Sequence, residues 1–432
     1  MKENSISNIQ DPKLRPAALL WDESFLWGIM AQKALDACGL SYDLVRADDI
    51  RQGRLSEYAL LFVPGGWASN KVKALGDVGV TAIKKFVSNG GSYLGFCGGA
   101  GLATEDGIGL LPVKRRPTKE RVPSFSGPIG LKTSGHPIWE GLNNSELRTK
   151  NSELIFHAWW PSQFVVDKGV SVLATYGDAM PDAFSSDVNV GDAERGGGWT
   201  ELERIYQINL DPKRLLNEPA VIEGGFGKGK VLLSLVHFDT PDDRNGAIVL
   251  QNLWKYLIPN GQQLLISDFG LRNEIRQNNS VMQELEAVVA DLIALGQRNF
   301  LWFWRNPLLL QWRRGVRGLE YCTLFIMIRE LAHRLRGLDV QALPDLFGRL
   351  EQIRTELLPF GEKAKRLLAR ERFAMQNSHI TYERCDDPEI QSLREELFSR
   401  SKSHGGMFKE LLDEIDGLLY QVQAQVPASR EK

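Results

Sequence analysis

Between Arg15 and about Asn260, short uninterrupted apolar runs alternate with amphipathic stretches that close on glycine, and few folds admit that rhythm. "AALLWD" (17–22), "YALLFVPGG" (58–66) and "GSYLGFCGG" (91–99) have the length and apolar character of buried strands. "GIMAQKALDACGL" and "TAIKKFVSNGG" carry apolar residues at helical spacing and end on the glycine that closes a helix. Strands buried on both faces and separated by helices imply a doubly wound, mostly parallel sheet covered on both sides, an α/β domain. Further along, "SVLATYG" and "PAVIEGGFGKGKVLLSLVHFD" read as strands, the latter a pair joined by a glycine-rich hairpin turn. "NGAIVLQNLWKYLIP" reads as a closing helix.

Beyond Pro259 glycine thins out, and segments such as "VMQELEAVVADLIALGQ" and "LEYCTLFIMIRELAHRL" repeat apolar residues every three or four positions. The composition shift places a boundary near 260–268. The expected organisation is a polar tail (1–14), an α/β domain (15–260) and an all-α domain of about four or five helices (261–432). A chain of 432 residues is long enough for two or three cores. With 43% hydrophobic and 25% charged residues it is not a disordered or collagen-like chain. A net charge of −2 supplies no global field for nucleic acid, which is not expected as a partner. Cys38, Cys97, Cys322 and Cys385 are dispersed, form no CxxC pair and lack a histidine at metal-ligand spacing. Reduced thiols, a cytoplasmic location, no metal and no cofactor are therefore expected. The polar N-terminus lacks a signal-peptide core, and no run reaches the ~18 apolar residues of a membrane span.

In a doubly wound sheet, function gathers where strands end and helices begin. Cys97 occupies such an end, and Gly95-Phe96-Cys97-Gly98-Gly99 fits the small-x-nucleophile-x-small elbow. A helix starting near Gly99–Gly101 would favour thiolate through its dipole, and the Gly98 N–H would face a developing oxyanion. Gly65 and Gly66, at the preceding strand end, are the second candidate source of backbone donors. Of six histidines only His237 lies at the end of a buried strand, and Asp239 two residues on is placed to orient it. Cys97, His237 and Asp239 form the candidate triad.

The remaining histidines, His136, His157, His333, His379 and His404, read as structural or surface residues. The glycine runs at 195–199 and 224–230 match neither phosphate-binding pattern and read as turns. Residues 298–317 hold five arginines and three tryptophans with no acid. That composition suits a membrane interface, while Trp and Leu at helical spacing more often form core or an interface between domains, with Pro307 breaking or starting a helix.

Together, "LLFVPGGWAS", "IKKFVSNGGSYLGFCGGAGLAT", "GPIGL", "VLATYG" and "PAVIEGGFGKGKVLLSLVHFD" resemble the N-terminal domain of eukaryotic-type biotin-protein ligases, within the class I glutamine amidotransferase-like superfamily. The resemblance covers roughly residues 15–258 and implies a flavodoxin-like fold. It implies that Cys97 is the nucleophile, His237 its histidine, and Gly65, Gly66 and Gly98 the oxyanion region. Three positions depart from the pattern. Gly101 stands where glutamine-hydrolysing members carry glutamine, His-Phe-Asp replaces His-Pro-Glu at 237–239, and no biotinyl-adenylate loop follows, so the chain does not read as a biotin ligase. Two readings remain. One is a thiol enzyme acting on a small amide or ester through a thioester, with substrate selected by "WASNK" (67–71) and the segment 115–130. The other is a silent amidotransferase-like scaffold whose helical half binds a protein partner, a second copy or a membrane surface through 298–317.

Overall fold

The computed structural model describes residues 15–142, 151, 153–258, 280–336, 338, 340, 343–377, 380–381, 385–400 and 403–425. The expected polar tail, the boundary near 260–268 and His379 lie outside them.

The apolar runs become strands where expected. Those of the first part are β1 (Arg15–Leu20), β2 (Asp43–Val45), β3 (Tyr58–Val63) and β4 (Ser92–Phe96), with helices α1 (Phe25–Ala37), α2 (Ala47–Arg51), α3 (Ala68–Ser88) and the single turn α4 (Gly98–Leu102) between and after them. Every side chain of β3 and β4 is buried, as strands covered on both faces require. There follow β5 (Val113–Arg115), β6 (Phe125–Thr133), β7 (Leu154–Trp159), β8 (Phe164–Val166), β9 (Ser171–Ala179), β10 (Phe184–Ser185) and β11 (Val188–Asn189). Two short helices, α5 (Val190–Arg195) and α6 (Thr200–Tyr206), lead to the hairpin β12 (Pro219–Phe226) and β13 (Gly229–Ser234), and α7 (Arg244–Leu257) closes this part.

The main sheet runs β11-β10-β6-β9-β12-β13-β4-β3-β1-β2, with β7 also on β6. Its half β2-β1-β3-β4-β13 is wholly parallel, the flavodoxin-like order 2-1-3-4-5. From β12 outward the pairing is antiparallel, a wing that carries the sheet past the doubly wound core. The chain leaves β1 in one direction for β2 and returns across it to β3. Right-handed crossovers therefore put α1 on one face and α2 and α3 on the other, and the crevice opens at the carboxyl ends of β1, β3 and β4.

The second part holds five helices among the described residues: α8 (Ser280–Arg298), α9 (Gly318–Leu335), α10 (Pro344–Asn377), α11 (Pro388–Phe398) and α12 (Gly406–Gln425). The arginine-tryptophan stretch is not helical. It folds as a hairpin, β14 (Trp302–Asn306) and β15 (Leu309–Trp312), and Pro307 sits in its turn, where Asn306 Oδ1 accepts from the Leu308 and Leu309 N–H groups. Strand periodicity puts Trp302 and Leu310 inside while leaving Phe303 half exposed. The hairpin ties the two parts together: Gln311 Oε1 accepts from Ser126 Oγ (3.1 Å) and its Nε2 donates to the Ser186 carbonyl (2.7 Å).

Buried apolar residues form two cores. One lies around the sheet, from Ala17 to Ile258. The other fills the helical part but also takes in Trp21, Phe25, Leu26, Trp27, Ile29, Met30 and Trp159 from the α/β part. Helix α1 is thus buried on two sides, against the sheet through Ala31 and Leu35 and against α9 through its first two turns. No helix among the described residues is long and apolar enough to cross a membrane.

Candidate functional site

Cys97 ends β4 and caps α4 with φ 48° and ψ −104°, a region that side-chain-bearing residues seldom occupy. Such a conformation costs on the order of 1–3 kcal/mol, and the surroundings must enforce it. They do so through backbone contact on both sides. The Cys97 N–H donates to the Ser234 carbonyl (2.8 Å), prolonging the β4–β13 ladder, and its own carbonyl accepts from the Gly101 N–H (2.9 Å). The glycines of the elbow are required by space rather than by turn geometry alone. A Cβ on Gly98 would lie 1.8 Å from the Gly66 carbonyl oxygen, and one on Gly99 would lie 1.9 Å from that of Val63. The strand ends after β3 and β4 therefore meet backbone to backbone.

Gly66 has φ +112°, and among the described residues no carbonyl accepts its N–H. Gly98, the first residue of α4, has no intrahelical acceptor either. Both donors expected for an oxyanion are thus unspent beside Cys97. Gly65 plays a different part: the ring of Trp27 sits in the space a Cβ would need, 2.8 Å from its Cγ. The dipole expected behind Cys97 is small, since α4 is only one turn long.

After β13 the Ser234 hydroxyl bonds both the N–H (3.2 Å) and the carbonyl (2.7 Å) of Val236, and the His237 N–H donates to the His157 carbonyl (2.8 Å). This turn brings the imidazole to the Cys97 end of the sheet. His237 is fully buried, and its Nδ1 meets Asp239 Oδ1 at 2.9 Å. Burial opposes protonation of the ring, but the Asp239 charge and hydrogen bond, with the Cys97 side chain alongside, outweigh it and raise its pKa to about 10. Among the described residues His237 Nε2 has no hydrogen-bond partner, and Cys97 Sγ lies 4.0 Å from the Trp159 carbonyl oxygen. Cysteine and histidine are neighbours, then, without a closed hydrogen bond between them.

Aromatic side chains cover this corner. Trp27 lies against the His237 ring (centroids 4.8 Å) and touches Trp160 edge-on (6.1 Å), and Trp160 packs on Trp312 of β15 (4.8 Å). The helical part thereby reaches the vicinity of Cys97. Periodicity could not reveal this, because the tryptophans come from α1, the end of β7 and the distant hairpin.

Of the two segments expected to select substrate, "WASNK" is not a loop but the N-cap and first turn of α3. In "WASNK", Lys71 is wholly buried, donating to Ser24 Oγ (2.6 Å) and the Asp22 carbonyl (3.2 Å); burial lowers its pKa to about 7 against the pull of Glu23 and Asp22. In the other segment, Arg115 Nη1 stands 2.8 Å from where a Gly101 side chain would begin. His157 Nδ1 meets Asp243 Oδ2 at 2.8 Å, and Asp243 caps α7 through the Gly246 N–H. A groove of about 1010 Å³ between α1, the start of α7 and α9 is lined by Asp239 but by neither Cys97 nor His237. No group of three or more His, Cys, Asp or Glu side chains among the described residues could hold a metal ion.

Comparison with known proteins adds the following. No curated protein matches the chain. Among solved structures, a Thermoplasma acidophilum protein described as a GMP synthase subunit is 11% identical, with a TM-score of 0.37 over 57% of this chain and 95% of its own. A cytoplasmic protein of Salmonella typhimurium is 12% identical, with a TM-score of 0.35 over 57% of this chain and 99% of its own. A β-galactosidase of Bacillus circulans sp. alkalophilus is 12% identical, with a TM-score of 0.33 over 56% of this chain and 31% of its own. Likenesses this distant carry no argument about chemistry. Residues 50–106, the stretch that carries β3, Gly65, Gly66, Cys97 and Gly98, match the family model of the biotin-protein ligase N-terminal domain, and in that stretch the chain is similar to this amidotransferase-like family.

Proposed function

We propose that the chain is a cysteine-dependent acyl-transfer enzyme with Cys97 as nucleophile, His237 as its proton partner and Asp239 orienting the imidazole. The observation that carries this reading is a strained Cys97 backbone beside a buried His237–Asp239 pair and two glycine N–H groups without acceptors. With its pKa raised to about 10, His237 is an imidazolium at neutral pH, the form that supports a neighbouring thiolate. Thiolate attack on an amide or ester carbonyl forms the S–C bond and moves charge to the carbonyl oxygen, where the Gly66 and Gly98 N–H groups would receive it. As the C–N or C–O bond breaks, the leaving amine or alcohol takes the His237 proton. Water then adds to the thioester, His237 accepts the water proton, and the thiolate leaves as the acid forms.

A second reading, a silent scaffold, draws on two observations: among the described residues Nε2 of His237 has no hydrogen-bond partner, and Trp27 lies over the ring. Alkylation separates the two. Cys322 and Cys385 are buried, and burial raises the pKa of the Cys38 thiol. Iodoacetamide at pH 7 should therefore modify Cys97 first, and His237→Asn should slow that reaction at least about tenfold by removing the charge that supports the thiolate. Uniformly slow labelling of all four thiols, unaffected by His237→Asn, would identify a scaffold.

A further inference from the structure

The turn that leaves β1 is strained twice. Glu23 (φ 54°) and Phe25 (φ 45°) both hold side-chain-bearing residues in a region that favours glycine, on either side of Ser24, the N-cap of α1. Backbone of this kind persists only where its surroundings enforce it, and strain kept in place beside a site is a pointer to function. What the turn touches is Gly66. The Glu23 carbonyl oxygen lies 2.3 Å from where a Gly66 Cβ would stand, and Lys71 Cε lies 3.4 Å from the same point. The Gly66 nitrogen in turn lies 3.0 Å from where a Gly98 Cβ would stand. One of the two unspent donors beside Cys97 is therefore packed directly on the strained turn.

Two sets of contacts hold the turn, and they come from different parts of the molecule. From α3, Lys71 donates to the Asp22 carbonyl and to Ser24 Oγ, and Asn70 Nδ2 donates to Glu23 Oε2 at 3.1 Å. Helix α3 follows Gly66 directly along the chain, so these bonds tie the turn to Gly66 without anchoring either elsewhere. From α12, Lys409 Nζ pairs with the other oxygen, Glu23 Oε1, at 3.1 Å and with Asp413, one turn on, at 2.6 Å. The same ammonium stands 5.9 Å from the centre of the Phe25 ring, and His404, just before α12, meets that ring edge-on at 5.5 Å. Both strained residues are thus gripped by the helical part. The Lys409 and Glu23 side chains are mostly buried, so solvent screens their attraction little.

We propose that Lys409 is a positioning residue for acyl transfer: through Glu23 and the strained turn it holds Gly66 where its N–H meets the charge developing on the substrate carbonyl oxygen. This role depends on Cys97 being the nucleophile, and it gives the helical part a share in catalysis without contact with the substrate. A misplacement of about 1 Å can cost about 100-fold in rate, comparable with deleting an oxyanion donor outright.

Two reagents that deliver a two-carbon group to Sγ separate positioning from nucleophilicity. With iodoacetamide, Sγ displaces iodide and no charge moves to a carbonyl oxygen, so the donors contribute nothing. With 4-nitrophenyl acetate, Sγ adds to the carbonyl carbon and negative charge passes to its oxygen; 4-nitrophenolate then leaves as the C–O bond breaks, giving the S-acetyl thioester. The readout is the acetylation rate at Cys97 over its alkylation rate, with Cys97→Ala subtracted as background and the quotient divided by that of free cysteine in the same buffer. In the full-length protein this normalised ratio should exceed unity by at least about tenfold. Lys409→Met should lower it at least about fivefold while leaving the alkylation rate within about twofold, and Lys409→Arg, which can still pair with Glu23, should restore most of it. A merely structural lysine would change both rates together and leave the ratio where it was.

A wild-type ratio near unity, with iodoacetamide still selecting Cys97, overturns the role of Gly66 and Lys409 and leaves the nucleophile standing. A raised ratio that Lys409→Met does not change overturns the positioning role alone, as does a loss that Lys409→Arg shares in full. If neither reagent selects Cys97 over Cys38, the nucleophile reading falls and the positioning role with it.

Discussion

At the scale of single residues, the corner around Cys97 is defined by groups whose ordinary partners are missing or displaced. His237 and Lys71 show the two directions this takes. His237 gains a buried carboxylate, and its pKa rises from 6.5 to about 10; Lys71 loses water, and its pKa falls from 10.5 to about 7. Their linkage to stability has opposite signs. The His237 contribution is fully present below pH 6.5 and disappears as pH rises through about 10, whereas the Lys71 penalty is largest below about pH 7 and fades toward 10.5. Bulk pH denaturation would mix the two, so the informative quantity is the difference between wild type and His237→Asn, which retains a donor for Asp239. The wild-type advantage in melting temperature should shrink between pH 7 and pH 10.5, and a constant advantage would show that the histidine is not charged in the folded protein. Cys97, His237, Asp239 and the glycines could be picked out from strand ends alone. Arg115 and Arg116 fall inside a segment expected to select substrate, but their pairing with Asp106 and Glu218 depends on where those acids come to lie, which local sequence does not encode.

At the scale of elements, the hairpin β14–β15 is the clearest departure from expectation. Its Trp and Leu spacing suits a helix as well as a strand over so short a run, and the deciding fact is tertiary. Trp302 is buried in a slot over Gly296 of α8, where a Cβ would come within 2.0 Å of the indole, and its Nε1 donates to the Ile293 carbonyl at 2.9 Å. Glycine at 296 therefore reads as a packing requirement. Trp302→Ala should cost about 3–5 kcal/mol, the range for deleting a buried aromatic side chain, measured by urea unfolding; a cost under about 1 kcal/mol would place the indole at a merely superficial site. Strands β8 and β10 are likewise hard to read, since each is only two or three residues long and is defined by pairing with distant chain, β5 and β6. The parallel strands were easier because burial on both faces leaves a continuous apolar run.

At the scale of the whole molecule, the two parts have separate cores but share α1. Trp21, Phe25, Leu26, Trp27, Ile29 and Met30 belong to the helical core, although the chain places them directly after the first strand of the sheet. Polar contacts reinforce the join: Lys33 with Glu330 (2.7 Å), Arg46 with Asp416 (3.0 Å) and Lys409 with Glu23 (3.1 Å). A fragment ending at Ile258 would expose that apolar surface and lose the support behind Trp27, which lies over His237. Calorimetry of the full chain should accordingly show one cooperative transition. The fragment 1–258 should be poorly soluble alone and recover on co-expression with 280–432. Two independent transitions, or a soluble fragment with unchanged melting temperature, would mean that the parts are energetically separate.

The sequence by itself determined the mostly parallel α/β class of the first part and the helical character of the second, because these follow from local periodicity, and it nominated Cys97, His237 and Asp239 as candidates from residue types at strand ends. Tertiary structure alone decided what surrounds the thiol. That Trp27 covers His237 and that Trp312 of the hairpin packs on Trp160 result from approaches between segments far apart in the chain. Such contacts are set by how strands order and helices cross, and a one-dimensional pattern carries no distance between them.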